Sequence, residues 1–573
     1  MKSFYKQTTE NIIRRINSFF LLLIILEIVL KFLLVTRHKI GWDEFYFLSI
    51  VHSFKRNELI QPFQSFHVHL LGWIPGFAEN EVVQVIAARC FLLLLLIASG
   101  IFLYLISREF LNKSGALFSV FCWLSFSNII NHGASLRADS FCTFFFLLAA
   151  FALLRVNRGR LWAAIAGIAM GLSVLVSIKA VIHLASLFAL LGFLLFISHQ
   201  KKLCLKKIAL FSALVALTFG LGFILHRQTL VQTTLLAEQD FISRTSSQAR
   251  VFDEFFPKVG YFSDSLRKNL ITWWLLGVGV FYSIFDLKKG TNKRVVVLLA
   301  FLVPIFTLPF YRNAFPYYYF FIIAPAILFC GFLPHRILQD FQKTGSKALL
   351  LPLAIICLPI AGSAAFHYYK AFNKPNKPQE EILSVVHKMF PAPVPYIDGC
   401  SAVSSFPKVG FFMSNWGFEN YFAAGKPLFR NILQEQQPQF ILADTPHLDF
   451  RLPRNHIFFE INHDFFEKDK HVLVNNFVRY WGMIWLPGKV LQNLTAGKQQ
   501  SFEILIPGPY VVDSSHPVVI DNKNLKPGEK AILTPGNHLI EAKENNQKIV
   551  LRWDKIEYIP TTPPPEISTF YGF

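Results

Sequence analysis

The sequence predicts a polytopic α-helical membrane protein that ends in a soluble region. Of its 573 residues, 53% are hydrophobic and 16% are charged, and the mean hydropathy is +0.41. A soluble domain would carry roughly a quarter charged residues. The apolar residues before residue 370 are gathered into runs that suit a bilayer, whose core takes about 20 helical residues to cross. We therefore expect about eleven transmembrane helices, followed by an α/β unit and a small β-sandwich-like module.

Each expected span is a run of apolar residues between short polar loops. The runs lie at residues 18–35, 82–107, 114–131, 140–154, 161–177, 180–198, 208–226, 271–285, 295–310, 317–333 and 348–366. Together with the residues before the first run, they define a transmembrane domain over residues 1–370.

The loops between the runs differ in their basic residues, and this predicts the orientation. One alternating set, which includes the N-terminus and loops 155–160 and 199–207, is rich in Lys and Arg. The short loops of the other set carry one basic residue each: Arg137, Lys179 and Arg312. Basic loops stay on the cytoplasmic side. We therefore expect a cytoplasmic N-terminus and an extracytoplasmic tail, and we attribute the net charge of +20 to topology rather than to a nucleic-acid partner.

The tail changes to soluble character after residue 370. Residues 380–390 have a helical pattern, and residues 394–398 and 439–444 have strand patterns, which predicts an α/β domain over 371–495. Alternating apolar residues follow, with a Pro-Gly-Asn turn at 535–537, and predict an all-β module over 496–573. The proline run at 563–565 predicts a disordered end.

An acidic pair, Asp43 and Glu44, begins the loop after the first span. Charged side chains beside lipid are costly and often serve a function. A carboxylate there is a good general base for an acceptor hydroxyl. The alternative is that the pair caps the helix that follows, since Asp is a common N-cap residue.

Three basic residues occupy the loops of the same predicted face. Arg137 and Asp139 stand at the mouth of the fourth span, and Arg suits phosphate because its guanidinium offers a fork of donors. Lys179 and Arg312 are the other two. The alternatives are a local Arg–Asp pair that caps the span and side chains that extend from a helix end towards water.

Histidine and tyrosine residues lie near these charges. His67 and His69 could bind a metal, although a structural role is the alternative. Tyr317 and Tyr318 follow Arg312 and either belong to an interfacial aromatic belt or line a groove for a phosphate-bearing lipid. No nucleotide-binding motif is present. We expect no cofactor, with a divalent metal as the open alternative.

An acidic pair in the first outer loop, followed by Arg137-Ala138-Asp139 at a later span, resembles the GT-C glycosyltransferases. The resemblance is to the branch that contains protein O-mannosyltransferases and lipid A aminoarabinose transferases. It implies a polyprenyl-phosphate sugar donor and an inverting, single-displacement transfer. Asp43 would then be the base, with Glu44 in support.

The same resemblance implies that Arg137, Lys179 and Arg312 hold the donor phosphate, with Asp139 as partner. Loop 36–81 departs from the branch, because it has His67-Val68-His69 where the branch often has His-Pro-Pro. The acceptor therefore stays open between lipopolysaccharide or lipid A, a glycan and a protein.

Two other classes of function remain as alternatives. A transporter or flippase of lipid-linked glycans would be expected to have internal repeats and charges at the middle of the bilayer. A non-catalytic envelope scaffold would use the β module for binding. On the glycosyltransferase reading, the protein is a multi-pass protein of the bacterial inner membrane with a periplasmic tail.

Overall fold

The computed structural model describes residues 2–231, 255–288, 293–451, 464–565 and 567–571. The chain forms two compact units. The first comprises Met1–His38, Ser53–Ile74 and Ile86–Pro375. The second comprises Lys39–His52, Pro75–Val85 and Asn376–Phe573, so it takes two short segments from the N-terminal part of the chain.

The described residues before 376 are mainly helical. Its α-helices are α1 (Lys2–Arg37), α2 (Trp42–Lys55), α3 (Val68–Leu71), α4 (Glu81–Ser107), α5 (Lys113–Leu124), α6 (Ser127–His132), α7 (Ala138–Leu154), α8 (Arg160–Val176), α9 (Val181–Ile197), α10 (Lys201–Arg227), α11 (Val259–Lys268), α12 (Leu270–Lys288), α13 (Tyr318–Ala326), α14 (Phe332–Thr344) and α15 (Leu351–Phe372). Short 3-10 helices lie between some of them, notably at Ile178–Ala180, Lys293–Leu302, Ile305–Thr307 and Ile327–Gly331.

The polytopic helical class is confirmed, and every predicted apolar run falls on helical structure. Within the described residues, six helical segments are long and apolar enough to cross a bilayer, or seven if the pair α11–α12, bent by 92°, is one span. Four further apolar helices are shorter: Lys113–Leu124, Ala138–Leu154, Arg160–Val176 and Val296–Thr307. A helix of 17 residues such as α7 is about 25 Å long, which is less than the roughly 30 Å of a bilayer core. Full-length spans are therefore fewer than the eleven apolar runs.

Small residues let the helices of the first unit approach closely. A Cβ on Gly167 of α8 would lie 2.8 Å from the carbonyl oxygen of Phe211 in α10. One turn later, a Cβ on Gly171 would lie 2.7 Å from that of Thr218. Contact between backbones is how membrane helices gain packing energy without a hydrophobic driving force. The α8–α10 pair is thereby held rigidly, and Lys179 follows directly after α8.

The second unit combines helices with two β-sheets. The helices are α16 (Lys377–Met389), α17 (Asn415–Ala424), α18 (Phe429–Glu435) and α19 (Glu467–Asn476). The strands are β1 (Tyr396–Ile397), β2 (Phe440–Leu442), β3 (Phe477–Trp481), β4 (Ile484–Leu494), β5 (Gln499–Ile504), β6 (Gly508–Asp513), β7 (Val518–Ile520), β8 (Lys523–Leu525), β9 (Lys530–Leu533), β10 (Gly536–Ala542) and β11 (Gln547–Trp553). A seven-stranded sheet has the order β1-β2-β4-β11-β6-β9, with β3 also paired to β4, and a four-stranded sheet has the order β5-β10-β7-β8.

The long strand β4 links the two predicted parts of the tail. Its first residues pair with β2 and β3, and its later residues pair with β11. One sheet therefore runs through both the α/β part and the β part, and the division of the tail at residue 495 stays a prediction. The boundary at residue 370 likewise stays a prediction.

Two local features of the tail differ from the expectation. Of the predicted turn at 535–537, Pro535 lies between β9 and β10, whereas Gly536 and Asn537 already belong to β10. The two strands belong to different sheets, so this connection carries the chain from one sheet to the other. The C-terminal end was expected to be disordered, whereas Ile567–Phe570 form a 3-10 turn and Phe570 is fully buried. Burial of the Phe570 ring beside Phe45 explains the difference, since the ring centroids lie 5.9 Å apart.

Candidate functional site

The start of α7 carries the first charged pair of the candidate site. Arg137 is the extended N-cap residue of α7, and Asp139 lies in the first turn. A carboxylate is favoured there by the helix dipole. Arg137 Nε lies 3.3 Å from Asp139 Oδ2, and the two side chains are only 9% and 3% exposed. The pair is therefore a buried ion pair and not a surface contact.

Lys179 joins this pair from the turn between α8 and α9. Its Nζ donates a hydrogen bond of 2.6 Å to Asp139 Oδ1. Each carboxylate oxygen of Asp139 thus contacts a different cation. With Arg137 and Lys179 protonated and Asp139 ionised, the cluster carries one net positive charge.

An aromatic ring from a third segment covers the two cations. The guanidinium carbon of Arg137 lies 3.4 Å from the ring centroid of Tyr317, and Lys179 Nζ lies 5.3 Å from it. Cations are attracted to the face of such a ring. The backbone beside Tyr317 is held because Asn128 Nδ2 donates a 2.8 Å hydrogen bond to the carbonyl oxygen of Pro316. We call Arg137, Asp139, Lys179 and Tyr317 the cation cluster.

Two further tyrosines support the loop that carries Tyr317. Tyr318 is fully buried, and its hydroxyl lies 2.6 Å from Thr307 Oγ1. Tyr311 stacks on Tyr318, with ring centroids 4.5 Å apart. Burial, together with the negative charge of Asp139, raises the pKa of Tyr311 above its usual value. Arg312 follows Tyr311 and is half-buried.

His69, one of the two predicted histidines, belongs to a hydrogen-bond chain that links α3 to α10. His69 Nε2 lies 2.8 Å from His226 Nδ1, and His226 Nε2 lies 2.8 Å from Ser65 Oγ. These bonds join the loop before α3 to the end of α10. Burial lowers the pKa of His69, which favours the neutral ring that such a chain of hydrogen bonds uses. His67 is also buried.

The predicted acidic pair belongs to the second unit. Asp43 and Glu44 lie in the first turn of α2. Glu44 is buried, and its Oε2 accepts a 3.0 Å hydrogen bond from the backbone N–H of Gly41. Glu44 therefore caps the start of its own helix, in which Asp43 is a helical residue and not the N-cap. Asp43 is half-buried.

Two polar residues near the cation cluster were not identified from the sequence. One is Asn128, described above. The other is His183 of α9, which is stacked between the rings of Phe146 and Phe321 at centroid distances of 4.2 and 3.6 Å. Its Nε2 lies 3.0 Å from the carbonyl oxygen of Phe321. A polar residue inside an apolar run was the available signal for both, although each run also holds other polar residues.

One group of potential metal ligands lies within the described ranges, in the second unit. Asp398, Cys400 and Asp444 are buried, and their ligand atoms lie within 4.8 Å of one another. Asp444 accepts hydrogen bonds from the backbone N–H groups of Gly399 (2.6 Å) and Cys400 (3.0 Å), so it stabilises a turn. Burial and the neighbouring Asp398 raise the pKa of Asp444 to about 7. The cation cluster does not suit a divalent metal, because both oxygens of Asp139 already contact cations.

Comparison with known proteins identifies the class of the fold. The chain superposes on ArnT from Cupriavidus metallidurans bound to undecaprenyl phosphate with a TM-score of 0.50 and 14% identity, covering 74% of this chain and 92% of that one. It superposes on the Archaeoglobus fulgidus oligosaccharyltransferase, in complex with Zn and sulfate, with a TM-score of 0.51 and 12% identity, covering 94% and 98%. At such identities the matches show the fold alone. The protein has the GT-C fold, and the predicted resemblance is confirmed.

A family match adds to the fold. Residues 80–225, which include Arg137, Asp139 and Lys179, match the family of dolichyl-phosphate-mannose-protein mannosyltransferases. No curated protein matches the chain. Fold and family match together support a GT-C membrane glycosyltransferase.

Proposed function

We propose that the protein is an integral-membrane glycosyltransferase that moves a sugar from a polyprenyl-phosphate donor to an extracytoplasmic acceptor. The acceptor is lipopolysaccharide or lipid A, a glycan or a protein. The observation that carries the proposal is the cation cluster, in which buried Arg137 and half-buried Lys179 share the carboxylate of Asp139.

The charge of this cluster suits a phosphate leaving group. Breaking the bond between the sugar and the phosphate leaves negative charge on the phosphate oxygen, and fixed positive charge stabilises it. Arg137 and Lys179 supply that charge, and Asp139 and Tyr317 keep both side chains in position. The undecaprenyl phosphate bound to the ArnT structure supports a lipid-linked donor here. Arg312 is proposed as a further phosphate ligand, and Tyr318, His67 and His69 as supporting residues.

Asp43 is proposed as the general base. It takes the proton from the acceptor hydroxyl or amine while that group attacks the anomeric carbon and the phosphate leaves with the bonding electrons. The configuration at the anomeric carbon inverts in this single displacement. Glu44 is proposed to support Asp43, and its Oε2 accepts a hydrogen bond from the backbone N–H of Gly41.

The proposed location is the inner membrane of a bacterium, with a cytoplasmic N-terminus and a periplasmic tail. The distribution of basic loops supports this orientation. Arg137 and Lys179, each the single basic residue of its short loop, then face the outer leaflet, where an extracytoplasmic acceptor is available.

The proposal is tested with purified full-length protein and a panel of labelled polyprenyl-phosphate sugars. We expect transfer from at least one donor, loss of turnover in Asp43→Asn, and substantial turnover in Glu44→Gln. Glutamine keeps an oxygen that can accept from Gly41, so Glu44→Gln is the matched control. Turnover of Asp43→Asn equal to that of the unmodified protein would show that the base lies elsewhere.

A further inference from the structure

A cavity lies within the first unit, away from the cation cluster. Its volume is about 460 Å³. Its walls combine polar and apolar side chains, among them Glu109, Asn157, Leu194, Gln200, Leu203 and Lys207. Such a mixture suits an amphipathic ligand.

The cavity and the cation cluster stand at opposite ends of the same helices. α7 begins next to Arg137 and ends at Leu154, which lines the cavity. α9 begins after Lys179 and ends at Ile197, which also lines it. Each helix has 17 residues and is about 25 Å long. The cavity therefore belongs to the face with the basic loops, which is the predicted cytoplasmic face.

Lys207 makes the cavity a candidate anion site. Its side chain is buried, with 6% of the residue exposed, and it lines the cavity. Among the residues that the structure describes, no hydrogen bond or ion pair to Lys207 is found. Glu109, an acidic residue of the cavity lining, is 3.3 Å from Arg155 instead. An amine that lines a cavity and has no acceptor among the described residues offers its charge to an anionic ligand in that cavity.

The start of α10 adds donors to the same cavity. Gln200 is the N-cap residue of α10, and no side chain caps this end. The first backbone N–H groups of a helix have no acceptor within the helix, and the helix dipole favours an anion there. Gln200 and Leu203 line the cavity beside Lys207, which is two turns into α10. A buried amine and a helix start thus face the same space.

Exposed residues around this end of the unit indicate which anion fits. Phe196, Leu203 and Leu205 are 79%, 39% and 52% exposed, which suits contact with lipid chains. Lys201 and Lys206 are also exposed beside them, and basic residues at a cytoplasmic membrane surface attract anionic lipids. We propose that this cavity binds the phosphate-bearing headgroup of an anionic membrane lipid, with Lys207 and the start of α10 as the phosphate ligands.

The test is lipid retention by the full-length protein in detergent, measured by native mass spectrometry. The probes are phosphatidic acid and phosphatidylcholine with the same acyl chains, and inorganic phosphate as the soluble anion. We expect retention of phosphatidic acid over phosphatidylcholine, and a loss of affinity of about ten- to a hundredfold in Lys207→Met, since a charge-assisted contact is removed. Lys343→Met, at an exposed position on α14 that does not line the cavity, is the matched control and should bind like the unmodified protein.

Several results would overturn the proposal. Equal retention of both lipids by the unmodified protein would show that the headgroup charge is not recognised, and this comparison needs no variant to fold. Equal affinity in Lys207→Met would exclude Lys207 as a ligand, and Lys207→Arg should restore binding if charge is what matters. If the protein binds inorganic phosphate but retains neither lipid, the site is for a soluble phosphate and the lipid proposal is rejected. None of these results depends on the glycosyltransferase activity.

Discussion

Asp139 shows why the cation cluster is organised around one carboxylate. Its side chain is 3% exposed, and an isolated buried charge of this kind would be strongly destabilising. Arg137 and Lys179 neutralise it from two sides, at 3.3 and 2.6 Å. The second cation is in excess of what Asp139 needs, and that excess is the charge available to a phosphate.

Replacing Arg137 by alanine or by lysine distinguishes the contribution of its charge to donor use from that of its planar shape. We predict that Arg137→Ala weakens donor use by about ten- to a hundredfold, which corresponds to about 1.5–3 kcal/mol for a charge-assisted contact. Arg137→Lys should restore little, because a lysine lacks the planar group that covers Tyr317 at 3.4 Å. Steady-state kinetics with donor and acceptor varied separately measure the effect.

The matched control for Arg137 is Arg155→Ala, at the opposite end of α7. Arg155 also stacks on a ring, with its guanidinium carbon 3.9 Å from the centroid of Phe151. The Arg155→Ala variant should leave the KM for the donor unchanged. Unchanged donor kinetics in Arg137→Ala would place the phosphate site elsewhere.

At the scale of elements, the contact between α5 and the 3-10 turn Ile327–Gly331 depends on glycine. A Cβ on Gly331 would lie 2.3 Å from the carbonyl oxygen of Gly115 and 2.4 Å from Ser119 Oγ. Since the nearest atom is backbone, one of the two elements must shift to make room.

We therefore predict that Gly331→Ala destabilises the protein by about 1–3 kcal/mol through overpacking. Gly362→Ala in α15 is the control, because a Cβ there meets nothing within 4 Å and alanine favours a helix. Thermal unfolding in detergent compares the two variants. Equal melting temperatures would mean that the α5 contact relaxes without cost.

A histidine couples α16 to the beginning of α4 within the second unit. His387 Nε2 lies 2.9 Å from Glu81 Oε2. Burial alone would lower the pKa of His387, but the hydrogen bond to Glu81 and its charge outweigh burial and raise that pKa above 6.5. The folded unit therefore binds this proton more tightly than the unfolded chain.

The sign of the pH dependence follows from this shift. The stabilisation is fully present below the unfolded pKa of about 6.5 and is lost as the pH rises through the higher folded pKa. We predict that the second unit resists limited proteolysis better at pH 6 than at pH 8. His387→Gln should reduce that difference, whereas His471→Gln, at an exposed position, should not. If the pH dependence of proteolysis is unchanged in His387→Gln, groups other than His387 cause it.

At the scale of the whole molecule, the second unit is built from distant parts of the chain. Ser404 Oγ donates a 3.0 Å hydrogen bond to the carbonyl oxygen of Phe45, and Asn80 Nδ2 donates one of 3.0 Å to that of Glu380. The tail therefore folds with the loops that leave and enter the first membrane helices. Asp43 is part of this unit, so the tail takes part in positioning the proposed base.

Orientation is the prediction for the whole molecule. The basic loops predict that the C-terminus is extracytoplasmic. The test uses a reporter enzyme that works only outside the cytoplasm. Fused after residue 573, this reporter should be active. The same reporter fused at residues 198–200, between α9 and α10, is the control and should be inactive. Activity of the loop fusion alone would reverse the orientation and exclude transfer at the outer leaflet.

The membrane class and the candidate cations could be predicted from the sequence, because hydropathy and loop charge are local properties. Apolar runs remain apolar in any packing, and Arg137 and Lys179 stand out because their short loops hold no other basic residue. The roles of the acidic residues could not be predicted in this way, because whether Glu44 caps a helix depends on the conformation of its side chain.

The partners of these residues depended on tertiary structure, because they are far apart in sequence. Lys179 reaches Asp139 only because α8 returns to the start of α7, and Tyr317 comes from a much later loop. No local pattern predicts that β11 pairs with β4 or that Lys207 is buried beside the start of α10. Contacts of this kind are decided by how helices and strands pack together, and no short stretch of sequence records that packing.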